Sequence, residues 1–312
     1  MPLSPRDAAK SAAARLALAL RPPARRHRGR ILAVTFHRVL PDDAPPGGPM
    51  ANLAVRQSDF RRILAFLARR YAPLSPAGFA AGRIPPDRPS LLVTFDDGWA
   101  DNHAHALPVL RALGIPAIVF LATGAVADRT PFWWQPLAAL DPPPDVESLK
   151  TLPPDALEAR AAAALAALPP DSFRRDFLTP PQIAEMAATG LFCFGLHGHR
   201  HAILPALSPA AARADLARNR DHLARIVPPA ALLPLLAWPN GDPRTDLDLP
   251  ALGLRAAFST RRGTFANPWQ KDPFFAEPWQ NPSSPLWHLP RNNVDRRLAA
   301  TPALYPWLLL RA

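Results

Sequence analysis

Short apolar runs alternate with helical patterns along most of the chain, and this alternation restricts the fold more than any other feature. The runs are Ile31 to Phe36, Leu91 to Phe95, Ala117 to Ala122, Leu191 to Leu196, Leu232 to Trp238 and Ala256 to Thr260. Each has the length of a strand buried on both faces. Between them, Phe60, Ile63, Leu64 and Leu67 fall at i, i+3, i+4 and i+7, behind a cap expected at Ser58 or Asp59. Further helices are expected over Asp101 to Leu113, ending at Gly114, over Pro180 to Thr189, closed by Gly190, and over Pro209 to Ile226. Parallel neighbours need long crossovers, so the pattern implies right-handed βαβ units. The expected fold class is α/β, best met by a distorted (β/α) barrel of about seven parallel strands.

A chain of 312 residues with 48% apolar and 20% charged side chains can bury a substantial core. Its 42 prolines recur as pairs such as Pro85-Pro86 and Pro228-Pro229, which mark loop entries. Residues 128–178 break the alternation with Pro142 to Pro144 and an alanine-rich helix near Asp155 to Leu168. This stretch is expected to be an insertion within one domain spanning 31–312. No repeat suggests a solenoid.

The net charge of +11 is concentrated at one end. Residues 1–30 carry eight basic side chains against Asp7 alone, a net of +7, and only Lys10, Lys150 and Lys271 are lysines among 36 basic residues. The arginine bias, with heavy alanine and proline use, reads as codon bias, and an excess confined to one end argues against a nucleic-acid partner, whose footprint would run along a face of the fold. Two readings of this basic N-terminal arm stand: a solvated tail, and a helix over Asp7 to Leu20 making peripheral contact with an anionic membrane surface. The apolar stretch Leu16 to Leu20 is too short for a signal peptide, and no segment is apolar enough to span a bilayer. A cytoplasmic protein is expected, at the membrane surface if the arm engages lipid. The single cysteine, Cys193, excludes an internal disulfide and reads as a buried strand residue.

Three polar clusters sit where strands end: HRV at His37 to Val39, TFDDGWADN at Thr94 to Asn102, and GLHGHRH at Gly195 to His201. In parallel α/β folds the loops beyond the carboxyl ends of the strands converge, so these clusters can form one site. Asp96 and Asp97 would point to opposite faces of a continuing strand, but Gly98 permits a turn that lets them share a cavity. Neighbouring carboxylates repel unless a cation or proton intervenes. A metal bound by one aspartate would leave the other free to move protons; the structural alternative is an Asx turn into the next helix. If a helical turn begins at His197, then His197 and His201 share a face and His199 points elsewhere. One carboxylate and two imidazoles suit zinc, although iron(II) oxygenases use the same set.

TFDDG followed by this HxxxH cluster resembles the polysaccharide deacetylase family, the carbohydrate esterase group sharing the NodB homology domain. The likeness runs from about Ile31 to Arg291 and includes TFHRV, ADNHAHALPVLRALGIPAIVFLATG, LTPPQIAEMAATG and AWPNGD, in order. The resemblance implies a NodB-like distorted barrel, Asp96 as catalytic base, and Asp97, His197 and His201 as ligands of a divalent metal, zinc being the expected ion. It also implies hydrolysis of an acetamide on an N-acetylated saccharide, with the oxyanion held by the metal and a backbone N–H near Trp238. Many members carry an arginine before the aromatic and proline of the AWPNG segment; this chain has Ala237, and Arg291 is a candidate replacement from another strand. The family's late leucine and histidine motif has no clear counterpart, which leaves His288 and His37 as candidates for the general acid. Phe132-Trp133-Trp134 and the stretch Phe265 to Trp287, with Trp269 and Trp279, offer aromatic surfaces for a saccharide. The rival functions are hydrolysis of another non-peptide C–N bond, in a cyclic imide or amide, and saccharide binding without catalysis.

Overall fold

The computed structural model describes residues 3–45, 51–169, 172, 175–269 and 284–312. Eleven strands are present among them: β1 Arg30–Phe36, β2 Arg38–Leu40, β3 Ala54–Arg56, β4 Ala72–Pro73, β5 Ser90–Phe95, β6 Ala117–Leu121, β7 Phe192–Leu196, β8 Leu232–Ala237, β9 Ala256–Phe258, β10 Phe265–Ala266 and β11 Asn292–Asn293. β1, β5, β6, β7, β8 and β9 pair in that order, all parallel. β11 pairs with β1 in parallel, and Phe258 bridges Leu289 just ahead of it. The segment Leu289 to Asn293 thus touches both edges of the sheet, which is curled and mostly parallel as the alternation predicts. β10 is the exception, running antiparallel on β1.

The six predicted runs become strands to within two residues at each end because their side chains are buried on both faces. β5, β6 and β7 are buried throughout, and Cys193 lies buried in β7. The Pro209–Ile226 helix has its predicted bounds and is capped by the Ser208 side chain on Ala211 N–H. Pro180–Ala188 begins with a full capping box between Thr179 and Gln182. Two expectations are corrected. The helix carrying Phe60, Ile63, Leu64 and Leu67 runs Gln57–Ala68 with Arg56 at its cap and no side-chain cap bond, because β3 delivers the chain straight into its first turn. Asp101 to Leu113 is a π-helical turn, Asn102–Ala106, followed by Leu107–Leu113, with Gly114 left-handed at φ 63° as foreseen.

Residues 128–178 carry the helices Trp134–Ala138, Val146–Leu149 and Pro154–Ala167. The stretch returns to the barrel where Leu178 N–H donates to Gly98 and Ala100 N–H donates to Asp176, so it docks on the loop after β5. At the other end of the chain the Pro5–Leu20 helix packs on the Tyr305–Arg311 helix, burying Asp7, Ser11 and Ala14. No helix among the described residues is long and apolar enough to cross a membrane.

Candidate active site

β5 ends at Phe95, and the turn after it sets the site. Asp97 lies at φ 78° and Gly98 at φ 91°. A Cβ on Gly98 would come 2.7 Å from Leu121 Cδ2, so this turn needs glycine for space as well as conformation. Asp97 is held in its uncommon backbone by Trp99, whose indole N–H donates to Oδ2 at 2.8 Å. Oδ1 is left facing inward, buried and without a hydrogen bond.

Opposite it, the loop after β7 presents two imidazoles. It is not the helical turn considered from the HxxxH spacing; Gly198 at φ 74° and His201 at φ 53° bend an irregular loop. Both rings arrive at one point nonetheless. His197 Nε2 lies 3.4 Å and His201 Nε2 3.3 Å from Asp97 Oδ1. His197 Nδ1–H donates to the Ala237 carbonyl at 2.8 Å, which turns the Nε2 lone pair toward Asp97. Three buried lone-pair donors facing one another would repel without a cation or proton among them. Donors bound about 2.0–2.1 Å from one tetrahedral ion stand about 3.3–3.4 Å apart. Asp97, His197 and His201 therefore fit a divalent metal. His199 points away, pairing Nδ1 with Thr123 Oγ1 at 3.0 Å.

Asp96 is 2% exposed and meets Arg291, which is fully buried, in a two-pronged ion pair: Nη1 to Oδ1 at 2.6 Å and Nη2 to Oδ2 at 2.9 Å. Arg291 is fixed in turn by the Ser259 carbonyl. Burial alone would raise the Asp96 pKa, but Arg291, then His197 and His37, outweigh it and hold the carboxyl below the usual range. Burial likewise opposes charge on Asp97, and the two imidazoles beside it overcome that and bring its carboxyl well below the usual range.

A cavity of about 380 Å³ opens over these groups, lined by His37, Asp96, Asp97, His197 and His201, with Trp133, Trp134, Glu147 and Lys150 from residues 128–178 on its far wall. His37 is held at its backbone by the TFDDGWADN segment. Asn102 donates to the His37 carbonyl, and Asp101 accepts from Arg38 and Val39. Burial pushes the His37 imidazole down, the nearby Asp97 and Asp96 charges only partly opposing it. His288 is not brought to this cavity. Leu289 N–H donates to Ala257 and its carbonyl accepts from Ser259 N–H just past β9, with Leu289 and Arg291 both buried, whereas His288 ends the 3-10 turn Pro285–His288 and does not line the cavity. The Trp238 N–H itself donates to the Phe258 carbonyl. Asn240, at φ 57°, lines the cavity with its side-chain Nδ2 buried and unpaired.

Of the late aromatics, Trp269 packs on Phe79 and Arg255, the Trp287 carbonyl accepts from Trp238, and Trp279 lies outside the described residues. Trp134 instead faces the site, its ring 4.7 Å from His201 and stacked on Phe132 at 4.6 Å.

Two buried residues of the Pro209–Ile226 helix also escaped the sequence reading. Asn219 Oδ1 accepts from His197 N–H and its Nδ2 donates to Leu121 and Thr123, while Asp215 accepts from His199 and Arg200 N–H. Their i, i+4 spacing on an otherwise apolar helix face was the available signal. Asn219→Ala is expected to lower stability by about 2–3 kcal/mol through unpaired buried groups and to weaken metal binding by about 10–100-fold. Denaturant unfolding and a metal titration measure both; unchanged values would remove the buttressing role.

A curled parallel sheet whose strand ends gather paired aspartates and two imidazoles under an open cavity has the form of a carbon–nitrogen hydrolase. The chain belongs to the polysaccharide deacetylase family, hydrolases of non-peptide C–N bonds; that family's profile matches residues 83–257, more than half of the chain. No curated protein matches it significantly. Similar solved structures include IcaB from Ammonifex degensii, 22% identical over 90% of this chain and 96% of that one, TM-score 0.56. Streptococcus pyogenes PplD, a deacetylase solved with acetate, is 17% identical over 90% and 96%, TM-score 0.57. A polysaccharide deacetylase from Bacillus cereus is 18% identical over 89% and 69%, TM-score 0.57. At these identities the likeness is one of fold.

Proposed function

We propose that the chain hydrolyses the N-acetyl group of an amino sugar within a polysaccharide, oligosaccharide or lipid-linked saccharide, using a divalent ion held by Asp97, His197 and His201. The observation that carries this reading is the convergence of Asp97 Oδ1 with two imidazole Nε2 atoms beside an unligated second carboxylate. Zinc suits this mixed nitrogen and oxygen set. A divalent ion bound there supplies Lewis acidity toward the acetamide carbonyl and lowers the pKa of water.

The chain's own residues supply the rest. Asp96, kept ionised by Arg291, takes the proton of the attacking water. Because Arg291 keeps the carboxyl acidic, Asp96 holds that proton poorly and yields it toward the departing amine. We assign its delivery to His37, whose side chain lines the cavity. The Asn240 amide N–H is a donor for the carbonyl oxygen as it gains charge. Trp133 and Trp134 offer indole surface and N–H groups to the sugar.

Acetate release from N-acetylglucosamine oligomers tests the reading. Chelation is expected to abolish release and added zinc to restore it, while His197→Ala lowers it at least about 100-fold. Calorimetric metal binding should weaken in parallel. Full release by the chelated protein, or by His197→Ala, would overturn the metal role. Release from small cyclic imides but not from the oligomers would overturn the substrate class.

A further inference from the structure

Among the described residues, the exposed large apolar side chains are Leu3, Leu16 and Leu20, at 38%, 64% and 77% exposure, and all lie on or beside the Pro5–Leu20 helix. The inner face of that helix is spent on the fold through Asp7, Ser11 and Ala14. Its outer face, by helical spacing, is Ala9, Ala12, Ala13, Leu16 and Leu20, every one exposed and apolar. A helix docked on its own domain ordinarily turns polar residues outward, so this face is inverted.

Both flanks of the apolar strip are basic and partly aromatic. On one side Lys10 lies over the Trp307 ring at 5.9 Å, with Arg311 on the same ring at 5.7 Å. On the other, Arg15 shares an open cleft of about 580 Å³ with Phe66, Arg69 and Arg70. Arg6, Arg21, Arg25 and Arg28 are exposed around the helix and its C-terminal end. The one acidic side chain of this segment, Asp7, is buried and paired with Arg297 and Lys10, so it cancels none of the segment's exposed arginines.

We propose that the outer face of the Pro5–Leu20 helix is a docking surface for an anionic lipid bilayer. Leu16 and Leu20 would enter the acyl boundary, Trp307 would sit at headgroup level, and the flanking arginines would meet lipid phosphates. Charge separates this occupant from the others. A second copy would bring two strongly basic faces together, and a nucleic acid would leave the leucines exposed to water.

The test is cosedimentation of the full chain with phosphatidylcholine vesicles and with mixed phosphatidylcholine/phosphatidylglycerol vesicles. Binding is expected to the mixed vesicles only and to fall as salt rises. The Leu16→Ser/Leu20→Ser double variant should lose at least about tenfold in vesicle affinity, and Arg15→Gln/Arg69→Gln about as much. Release of acetate from a soluble oligomer should stay within about twofold in both, as for surface changes remote from the site. Failure of the wild type to bind the anionic vesicles overturns the proposal, as does undiminished binding by the leucine variant. Self-association abolished by the leucine changes would assign the face to a second copy and overturn it too. So would binding to duplex DNA as tight as to vesicles and indifferent to those changes.

Discussion

Asp96→Asn is expected to lower kcat/KM for acetate release by about 10³-fold, within the range that one positioned proton-transfer group contributes. The change keeps the side chain's shape and removes its capacity to accept a proton. It also places an amide N–H₂ against one prong of Arg291, where Oδ1 and Oδ2 now accept at 2.6 and 2.9 Å. Donor would face donor, so a lower unfolding midpoint should accompany the loss of turnover. Metal affinity separates this role from that of a ligand. Asp96→Asn should bind zinc nearly as the wild type does, whereas Asp97→Ala should not. Steady-state rates with calorimetry decide it; turnover within tenfold of wild type in a folded Asp96→Asn protein would exclude Asp96 as the base.

Arg291→Ala should be the most destabilising single change in the site. It leaves a buried carboxylate without its counter-charge, a situation that costs about 3–5 kcal/mol. The guanidinium also lies 5.5 Å from the Phe120 ring and 5.9 Å from Phe258, so truncation removes packing as well as charge. Turnover should drop at least about 100-fold, because the proposed base, Asp96, would lose the counter-charge that orients it and favours its ionised form. Arg291→Lys is the control that separates catalysis from folding. An ammonium restores the charge without the fork, so it should recover most of the stability and only part of the rate. Equal recovery of both would assign Arg291 a purely structural role, and a fully active, stable Arg291→Ala protein would leave it none.

The departure at Ala237 reads differently once the pair is seen. The segment from Leu289 bridges Phe258 and then pairs with β1, which lies beside β5, and Arg291 within it reaches Asp96. Ala237 still serves the site through its backbone, whose carbonyl accepts from His197 Nδ1. A missing arginine in one motif is thus compatible with an intact base and is no argument for a binding protein without catalysis.

Legibility differed by residue. Asp97, His197 and His201 were readable because each cluster ends an apolar run, and strand ends of a parallel sheet converge by topology alone. Their local geometry was not: the HxxxH spacing suggested a helical turn, where Gly198 and His201 at positive φ make an irregular loop pinned by Asp215 and Asn219. His37 could be placed at the site and His288 could not be excluded from it. That His288 ends a 3-10 turn and is not among the residues lining the cavity is decided by the tertiary structure. Of the two aromatic stretches offered, Trp133 and Trp134 line the cavity, while much of Phe265 to Trp287 lies outside the described residues.

The sequence by itself determined the strand and helix order, the turn after Asp96 and Asp97, and the types of residue at the strand ends. Those follow from periodicity, apolar run length and glycine, which act between near neighbours. Only the tertiary structure decided that Arg291 meets Asp96, that Asn219 holds His197, and that the Pro5–Leu20 helix turns Leu16 and Leu20 outward. Each of those depends on which way a side chain points after segments far apart in the chain have packed, and hydrophobic patterning specifies burial without specifying the partner.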